Sequence, residues 1–584
     1  MTPPFRRPSS IAVAAFVLTT LAVAHGARAE STPPRSDEER RALYFERMAA
    51  DREPSGPEAV QHFTPCVDGM AGAYPCDNVD LLEYVSHAAL GGSDGNDIWG
   101  WTDPVSGREF ALVGQSDGTA FVEITSPSST VLLGRLPSHT GDSTWRDLKT
   151  YQNHVFIVAD LNENHGMQVF DLERLLTATP GTTFTEDAWY GNTGSVHNIA
   201  INEATGFAYL VGSSSGANTC NGGLHIVNIQ NPEAPGFAGC FSADGYTHDT
   251  QCVVYAGPDV AHQGQEICFN SNEDTLTIVH VDNHAAPVQI SRTPYAGSAY
   301  THQGWLTEDH KYFLIDDELD EQSFGHNTWT YVWDVQNLEA PVLLGHFTSP
   351  TPAIDHNQYV RGNYVFQANY RSGLRVLRID DPSTATLSQI GFFDVYPTSD
   401  TANFSGAWSV YPYFPSGNVV VNGLGSGSGL FVVRPTNLCE TAAPPTGLTA
   451  IAAGDNQIDL AWTGSGNAGN TFRVERALGG CGGAFEEIVD GLVAPSYSDD
   501  TASGQVPYGY RVSEVDPTGF CRSETSACVE ATTTGVCTAP PAFAGLQTAT
   551  TPATPGCRVD LGWGAAAPWC GGPAVYNVYR SSDP

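Results

Sequence analysis

A short strand led by a polar ring or an aromatic residue recurs seven times along this chain. It reads Ile98-Trp99-Gly100, Trp145-Arg146-Asp147, Val196-His197-Asn198, Thr247-His248-Asp249, Thr301-His302-Gln303, Asp355-His356-Asn357 and Ala407-Trp408-Ser409. With Trp99, Arg146, His197, His248, His302, His356 and Trp408 as one column, the steps are 47, 51, 51, 54, 54 and 52 residues. A repeat of this period restricts the chain to folds that place one supersecondary unit beside the next. Each unit goes on to an alternating apolar strand, as at 224–229, 276–281 and 374–379, then a turn carrying Pro or Asp, then a fourth strand, as at 235–241 and 341–347. Four strands in about fifty residues is the arithmetic of a β-propeller blade. The seventh unit stops at Arg434-Pro435 without a fourth strand, while the segment from Asp80 to Val85 stands ahead of the first unit like an orphan one. Pairing that segment into the last unit would close the ring and leave no open sheet edge. The expected fold is therefore all-β, a seven-bladed propeller over residues 80–435 whose N-terminal strand completes the last blade.

The flanks differ in kind. Arg6 and Arg7 precede an apolar run at 11–23, and Ala27-Arg28-Ala29 offers a small-x-small cleavage pattern, so residues 1–29 read as an export signal. No later stretch approaches the ~20 apolar residues that span a bilayer. Residues 30–79 read as a lead-in with a short helix introduced by the capping-box form Ser36-x-x-Glu39 and ending near Ala50. Residues 436–448 read as a Pro-rich linker, 449–535 as a small sandwich, and 536–584 as a second, truncated one. Trp462 on an early strand and Tyr510-Arg511-Val512 on a later one resemble fibronectin type III modules. Thirteen cysteines in an exported chain point to disulfides, and Cys66 with Cys76, Cys220 with Cys240, and Cys252 with Cys268 close short loops. The pairing of Cys439, Cys481, Cys521, Cys528, Cys537, Cys557 and Cys570 stays open, and the odd total fits a partner, and an anchor, beyond Pro584. With 26 basic against 64 acidic residues the net charge is −38, which repels nucleic acid and anionic membrane surfaces. The expected location is secreted, extracellular or cell-surface.

The strands Leu224-His225-Ile226-Val227-Asn228 and Leu276-Thr277-Ile278-Val279-His280, with His302-Gln303-Gly304-Trp305-Leu306 and Asp316-Asp317-Glu318-Leu319-Asp320-Glu321, resemble the LVIVD repeats of the choice-of-anchor B family of bacterial surface proteins. The resemblance spans residues 63–434. It implies a propeller-like extracellular region joined to exchangeable C-terminal anchoring segments, and no established reaction.

Because the innermost strands of a propeller face its channel, Arg146, His197, His248, His302 and His356 are expected around one channel mouth, with Trp99 and Trp408 beside them. Their neighbours Asp147, Asn198, Asp249, Gln303 and Asn357 could orient imidazoles for a metal or an anion. Equally, each His could hydrogen-bond the next blade and stitch the ring, since a metal needs ligands near ~2.1 Å. Asp316, Asp317, Glu318, Asp320 and Glu321 place five carboxylates in six residues, an oxygen-rich loop that suits calcium or a solvated turn. Trp99, Trp101, Trp305 and Trp408 read as exposed aromatics that could line the mouth and stack sugars or peptides, though packing between blades explains them equally well. Gly212-Ser213-Ser214-Ser215-Gly216 carries the letters of a nucleophile elbow but lies between two strands, where that motif needs a following helix. The expected function is an extracellular binding or display protein with an unknown ligand or surface partner. The alternative is a metal-dependent hydrolase or lyase with the histidines as ligands and Asp147 or Asp249 as general base.

Overall fold

The computed structural model describes residues 41, 42, 44–48, 61–425, 428–436, 438, 443–466, 469–516, 519–536, 546–550 and 560–564. The segments expected as export signal and capping box, and most of the expected second C-terminal module, lie outside these residues. Among the described residues strand makes up 51% and helix 5%, so the fold is all-β.

Seven antiparallel sheets follow one another, and their first strands are Gly95–Thr102, Arg146–Tyr151, Asn198–Asn202, Asp249–Val254, Thr301–Leu306, Gln358–Arg361 and Gly406–Tyr411. We number the sheets I to VII. Each has four strands paired in chain order, except that the fourth place in sheet VII is taken by Val79–Ser86, which pairs antiparallel with Gly429–Pro435 through Leu430↔Val85 and Val433↔Leu81. Three sheets carry additions the repeat does not contain: Thr182–Thr183 runs parallel to the outer strand of sheet I, Tyr74–Asp77, with Met70–Ala71 beyond it, pairs with the outer strand of sheet VI, and Gln61–Thr64 pairs with Val79–Ser86 in sheet VII. The first strands neighbour one another in the order I-II-III-IV-V-VI-VII and back to I.

The side chains between sheets follow the same order. Phe156 and Val158 of sheet II pack with Ile199 and Leu210 of sheet III, and Tyr209 and Ile226 of sheet III pack with Cys268 and Val279 of sheet IV. Val420 and Val432 of sheet VII pack with Ala111 and Val122 of sheet I. Successive residues of a strand point to opposite faces, and here both faces are covered, which explains why Glu109–Gln115 is buried throughout. Each such Val, Leu or Phe contributes about 1.5–3 kcal/mol on burial. The third and fourth strands share a bulge at the same place in six sheets, after Phe121, Ile226, Ile278, Val332, Val376 and Val432. At that place Gly134 admits the backbone of Thr182, and Gly239 the carbonyl of His284; a Cβ at either would strike that oxygen.

The disulfides Cys66–Cys76, Cys220–Cys240 and Cys252–Cys268 are the local pairs that loop length selects, and Cys481–Cys528 adds a longer one. The C-terminal sandwich begins at Thr446, inside the segment expected as linker. It packs a three-stranded sheet against a four-stranded one around Ile458, Leu460, Trp462, Phe472, Val474, Tyr510 and Val512. Its Phe520 lies against Phe366 and under the guanidinium of Arg361, which joins the sandwich to sheet VI. No helix among the described residues is long and apolar enough to cross a membrane.

Candidate metal centre

At or within two residues of the start of the first strands of sheets III to VI stand four histidines. Their rings form a contiguous file: His197 to His248 is 4.3 Å between centroids, His248 to His302 4.2 Å, and His302 to His356 4.3 Å. All four are at most 4% exposed. Each Nδ1 is spent in the same way. His197 donates to Asp160 Oδ2 at 2.9 Å, His248 to the His302 carbonyl at 2.9 Å, His302 to Asp316 Oδ1 at 2.8 Å, and His356 to the Trp408 carbonyl. A neutral imidazole whose Nδ1 carries the proton presents a bare lone pair at Nε2. Burial, followed by the neighbouring histidines, holds His248 and His302 well below the usual imidazole range, and burial takes His356 down to about 3. These rings are therefore neutral donors at physiological pH.

What the lone pairs face is Glu318. Its Oε1 accepts from the Tyr370 hydroxyl at 2.7 Å, while Oε2 is buried with no hydrogen-bond partner. His302 Nε2 lies 3.7 Å from Glu318 Oε2, His356 Nε2 lies 3.5 Å from Oε1, and His248 Nε2 is likewise buried and unpartnered. One ligand atom each from His248, His302 and Glu318 lies within 4.8 Å of the others. Three donors about one metal ion at ~2.1 Å fall inside such a spacing. The chemistry fits: two imidazole nitrogens and one carboxylate, each nitrogen oriented through its far side by a carboxylate or carbonyl.

A segment ahead of the sheets covers this site. Residues 41, 42 and 44–48 are helical, and the Tyr44 ring stacks on Tyr300 at 5.0 Å and meets His197 and His248 edge-on. Trp145 Nε1 donates to the Tyr44 hydroxyl at 3.1 Å, and Phe45 rests on Trp145.

Several expected members sit elsewhere. Arg146 turns away from the histidines: Nη1 donates to His165 Nε2 at 3.0 Å and Nε to the Gln115 carbonyl, with burial lowering the guanidinium to about 10. Trp99 belongs to a different level of the column. Asp97 accepts the Leu148 amide as Asp147 accepts the Ile199 amide, which makes Asn96 the counterpart of Arg146 and Trp99 that of Lys149. Trp99 packs on Tyr359 and Tyr411 under the Lys149 ammonium, 4.6 Å from its ring, while Trp408 does lie by the file, 4.9 Å from His356. Trp99, Trp101 and Trp408 are buried rather than exposed, and Trp305 is half-buried. The two expected general bases differ in their surroundings. Asp147 is held by Lys149 at 2.6 Å; burial pushes its carboxyl up, but Lys149, Asp97 and the Ile199 amide together hold it below the usual range. Asp249 is pushed up to about 7 by burial and by Asp147.

The acidic run is not a solvated turn, since Asp316, Asp317, Glu318, Asp320 and Glu321 are at most 3% exposed. It divides three ways. Asp316 orients His302 and Glu318 faces the histidines, whereas Asp317 accepts the amides of Ala299 and Tyr300 and the Tyr295 hydroxyl. Asp320 and Glu321 turn to Asp355. The sequence offered no sign that Glu318 joins the histidines, but Asp355 stands beside His356 in the repeated triplet.

No family model matches the chain, and no curated protein does. Among solved structures, the chain is similar to a Lactobacillus plantarum protein (12% identity, 70% of this chain and 99% of that one, TM-score 0.38). It is also similar to a functionally unknown protein from Desulfotomaculum acetoxidans (10%, 56% and 99%, TM-score 0.36) and, over a short stretch, to a Fn3-like protein from Clostridium thermocellum (26%, 16% and 92%, TM-score 0.14).

Proposed function

We propose that this chain is an exported seven-bladed β-propeller protein that holds a divalent transition-metal ion near the propeller axis. His248, His302 and Glu318 are its ligands, and His197 and His356 flank them. The observation that carries this is the uniform commitment of each Nδ1, which leaves lone pairs of neutral Nε2 atoms around a carboxylate oxygen with no other partner. Stitching between blades accounts for the Nδ1 bonds of His248 and His356 but not for the buried Nε2 of His248 or for Glu318. Imidazole-rich sets suit Zn, Cu, Fe and Ni. An ion held by His248, His302 and Glu318 would supply Lewis-acid chemistry at this site.

The cyclic order of first strands, the pairing of Val79–Ser86 into sheet VII and the recurrent bulge support the propeller. Disulfides and a net charge of −38 support a place outside the cell. The LVIVD-like strands support membership of the choice-of-anchor B group, with the sandwich as a fibronectin-like spacer that presents the propeller to an extracellular ligand or surface partner. The test is metal analysis of the purified full chain, followed by Co²⁺ titration of chelator-treated protein. One equivalent giving the absorption bands of low-coordinate cobalt is expected. The double variant His248→Ala, His302→Ala should lose it; unchanged cobalt binding by that variant would refute the assignment.

A further inference from the structure

Behind the histidine file, on the far side of the same two backbone segments, lies a second cluster with different chemistry. Asp320 and Glu321 follow Glu318 by two and three residues, and Asp355 immediately precedes His356. One carboxylate oxygen from each of the three lies within 4.8 Å of the others. Asp320 and Asp355 are 0% exposed and Glu321 3%. Of their six oxygens, Asp320 Oδ2 accepts from the Tyr331 hydroxyl at 2.9 Å; Asp320 Oδ1 and both oxygens of Glu321 and of Asp355 have no hydrogen-bond partner. A buried carboxylate without a donor is costly, and three together repel one another besides. No Lys or Arg forms an ion pair with them among the described residues.

We infer that Asp320, Glu321 and Asp355 form a calcium site, separate from the axial centre and built into the backbone that carries two of its residues. The two unpartnered, fully buried oxygens of Asp355 and the pair on Glu321 are what distinguish this cluster from an ordinary acidic turn. The three donors that converge within that spacing are all oxygen, which selects a hard cation; His326 Nε2, 3.8 Å from Asp320 Oδ2, stands outside the group of three. Calcium accepts six to eight oxygens in loose geometry, bidentate carboxylates included, whereas magnesium keeps several waters and near-octahedral order that a closed carboxylate cage does not offer. The site ties the turn after the second strand of sheet V to the segment leading into sheet VI. Filling it would fix Glu318 and His356 from behind.

Terbium luminescence provides the test, because Tyr331 hydrogen-bonds directly to Asp320 and can sensitise a lanthanide there. The full chain, stripped with a chelator, is titrated with Tb³⁺, which Ca²⁺ should then displace, and with Ca²⁺ alone while the thermal midpoint is followed. Sensitised emission at one equivalent, its displacement by Ca²⁺ and a raised midpoint are expected. Glu321→Gln and Asp355→Asn should each abolish all three responses, yet be no less stable than the wild type in chelator, because each removes repulsion. His302→Ala should retain the terbium response, which separates this site from the axial one. Emission that persists unchanged in both carboxylate variants, displacement by Mg²⁺ or Mn²⁺ in preference to Ca²⁺, or no calcium effect on the wild-type midpoint would each overturn the inference.

Discussion

His165 gives the protein an acid sensitivity that is separate from any metal. The ring is fully buried; Nδ1 donates to the Gly166 carbonyl at 3.0 Å and Nε2 accepts from Arg146 Nη1 at 3.0 Å, so the folded state uses the neutral form on both sides. Burial first, and then the Arg146 charge, lowers it to about 3. An unfolded histidine titrates near ~6.5, so between these values the unfolded chain binds the proton that the folded chain refuses. Stability is therefore complete above pH ~6.5 and falls as the medium is acidified, by about 1.4 kcal/mol per pH unit until the folded ring itself titrates. Between pH 7 and pH 5 the loss from this one group is about 2 kcal/mol. His165→Gln keeps an oxygen acceptor for Arg146 and cannot titrate. Denaturant unfolding of the full chain with disulfides intact, at half-unit steps from pH 7 to 5, should show the variant losing about 2 kcal/mol less than the wild type over that interval. Parallel curves for the two proteins would refute the claim that His165 is held neutral by its surroundings.

Three further perturbations probe other links. Tyr44→Ala removes the ring that stacks on Tyr300 and covers His197 and His248; it should speed loss of bound cobalt to a competing chelator severalfold, with the sheet signal in circular dichroism unchanged. Tyr84 is buried between Phe431 and Tyr74 on the strand that completes sheet VII, so Tyr84→Ala should cost about 3–5 kcal/mol by the cavity it leaves, measured as a lowered denaturation midpoint. Lys149→Met leaves Asp97 and Asp147 buried against each other without a cation, and should destabilise by about 3–5 kcal/mol at pH 7, the loss shrinking as the pH is lowered and the carboxylates protonate.

The repeat was legible because each unit reuses the same strand chemistry: apolar runs buried on both faces, and a polar residue where the first strand meets its neighbours. The strand at 79–86 was legible for the complementary reason that the last unit lacked one. The column was misaligned at its first member. The step from Trp99 to Arg146 is the shortest, and counted from Asn96 it becomes 50, in line with the others; the aromatic looked like the histidines in kind but not in register. The division of the 316–321 run among three neighbourhoods was not legible, since it depends on the chain leaving a strand, turning at Leu319 and entering the short helix Asp320–Phe324. Spacing counts carboxylates; it does not say which way each one faces. Nor could the covering of the histidines by Tyr44 be read from a repeat, because the helix that bears it lies outside the repeat.

The distribution of charge along the meeting line of the sheets explains why the proposed metal site lies at one end of it. Where seven sheets present apolar faces to one another, the first-strand side chains that point inward have no partner sheet, so polar groups collect there and must satisfy each other. One residue beyond the histidine level the solution is internal: Lys149 lies 2.6 Å from Asp147 and 3.2 Å from Asp97, and the remaining acid, Asp249, is held at about 7. At the histidine level no lysine or arginine enters. Arg146, the one strongly basic member of the column, is bound to His165, Gln115 and Ser138, and the imidazoles of His248, His302 and His356 are neutral. Glu318 then meets the Tyr370 hydroxyl and uncharged ring nitrogens while burial and Asp317 push its carboxyl up, an environment that either keeps the carboxyl protonated or admits a cation. A proton would satisfy Glu318 and leave the Nε2 of His248 buried and idle, whereas a metal ion engages the carboxylate and the nitrogens together.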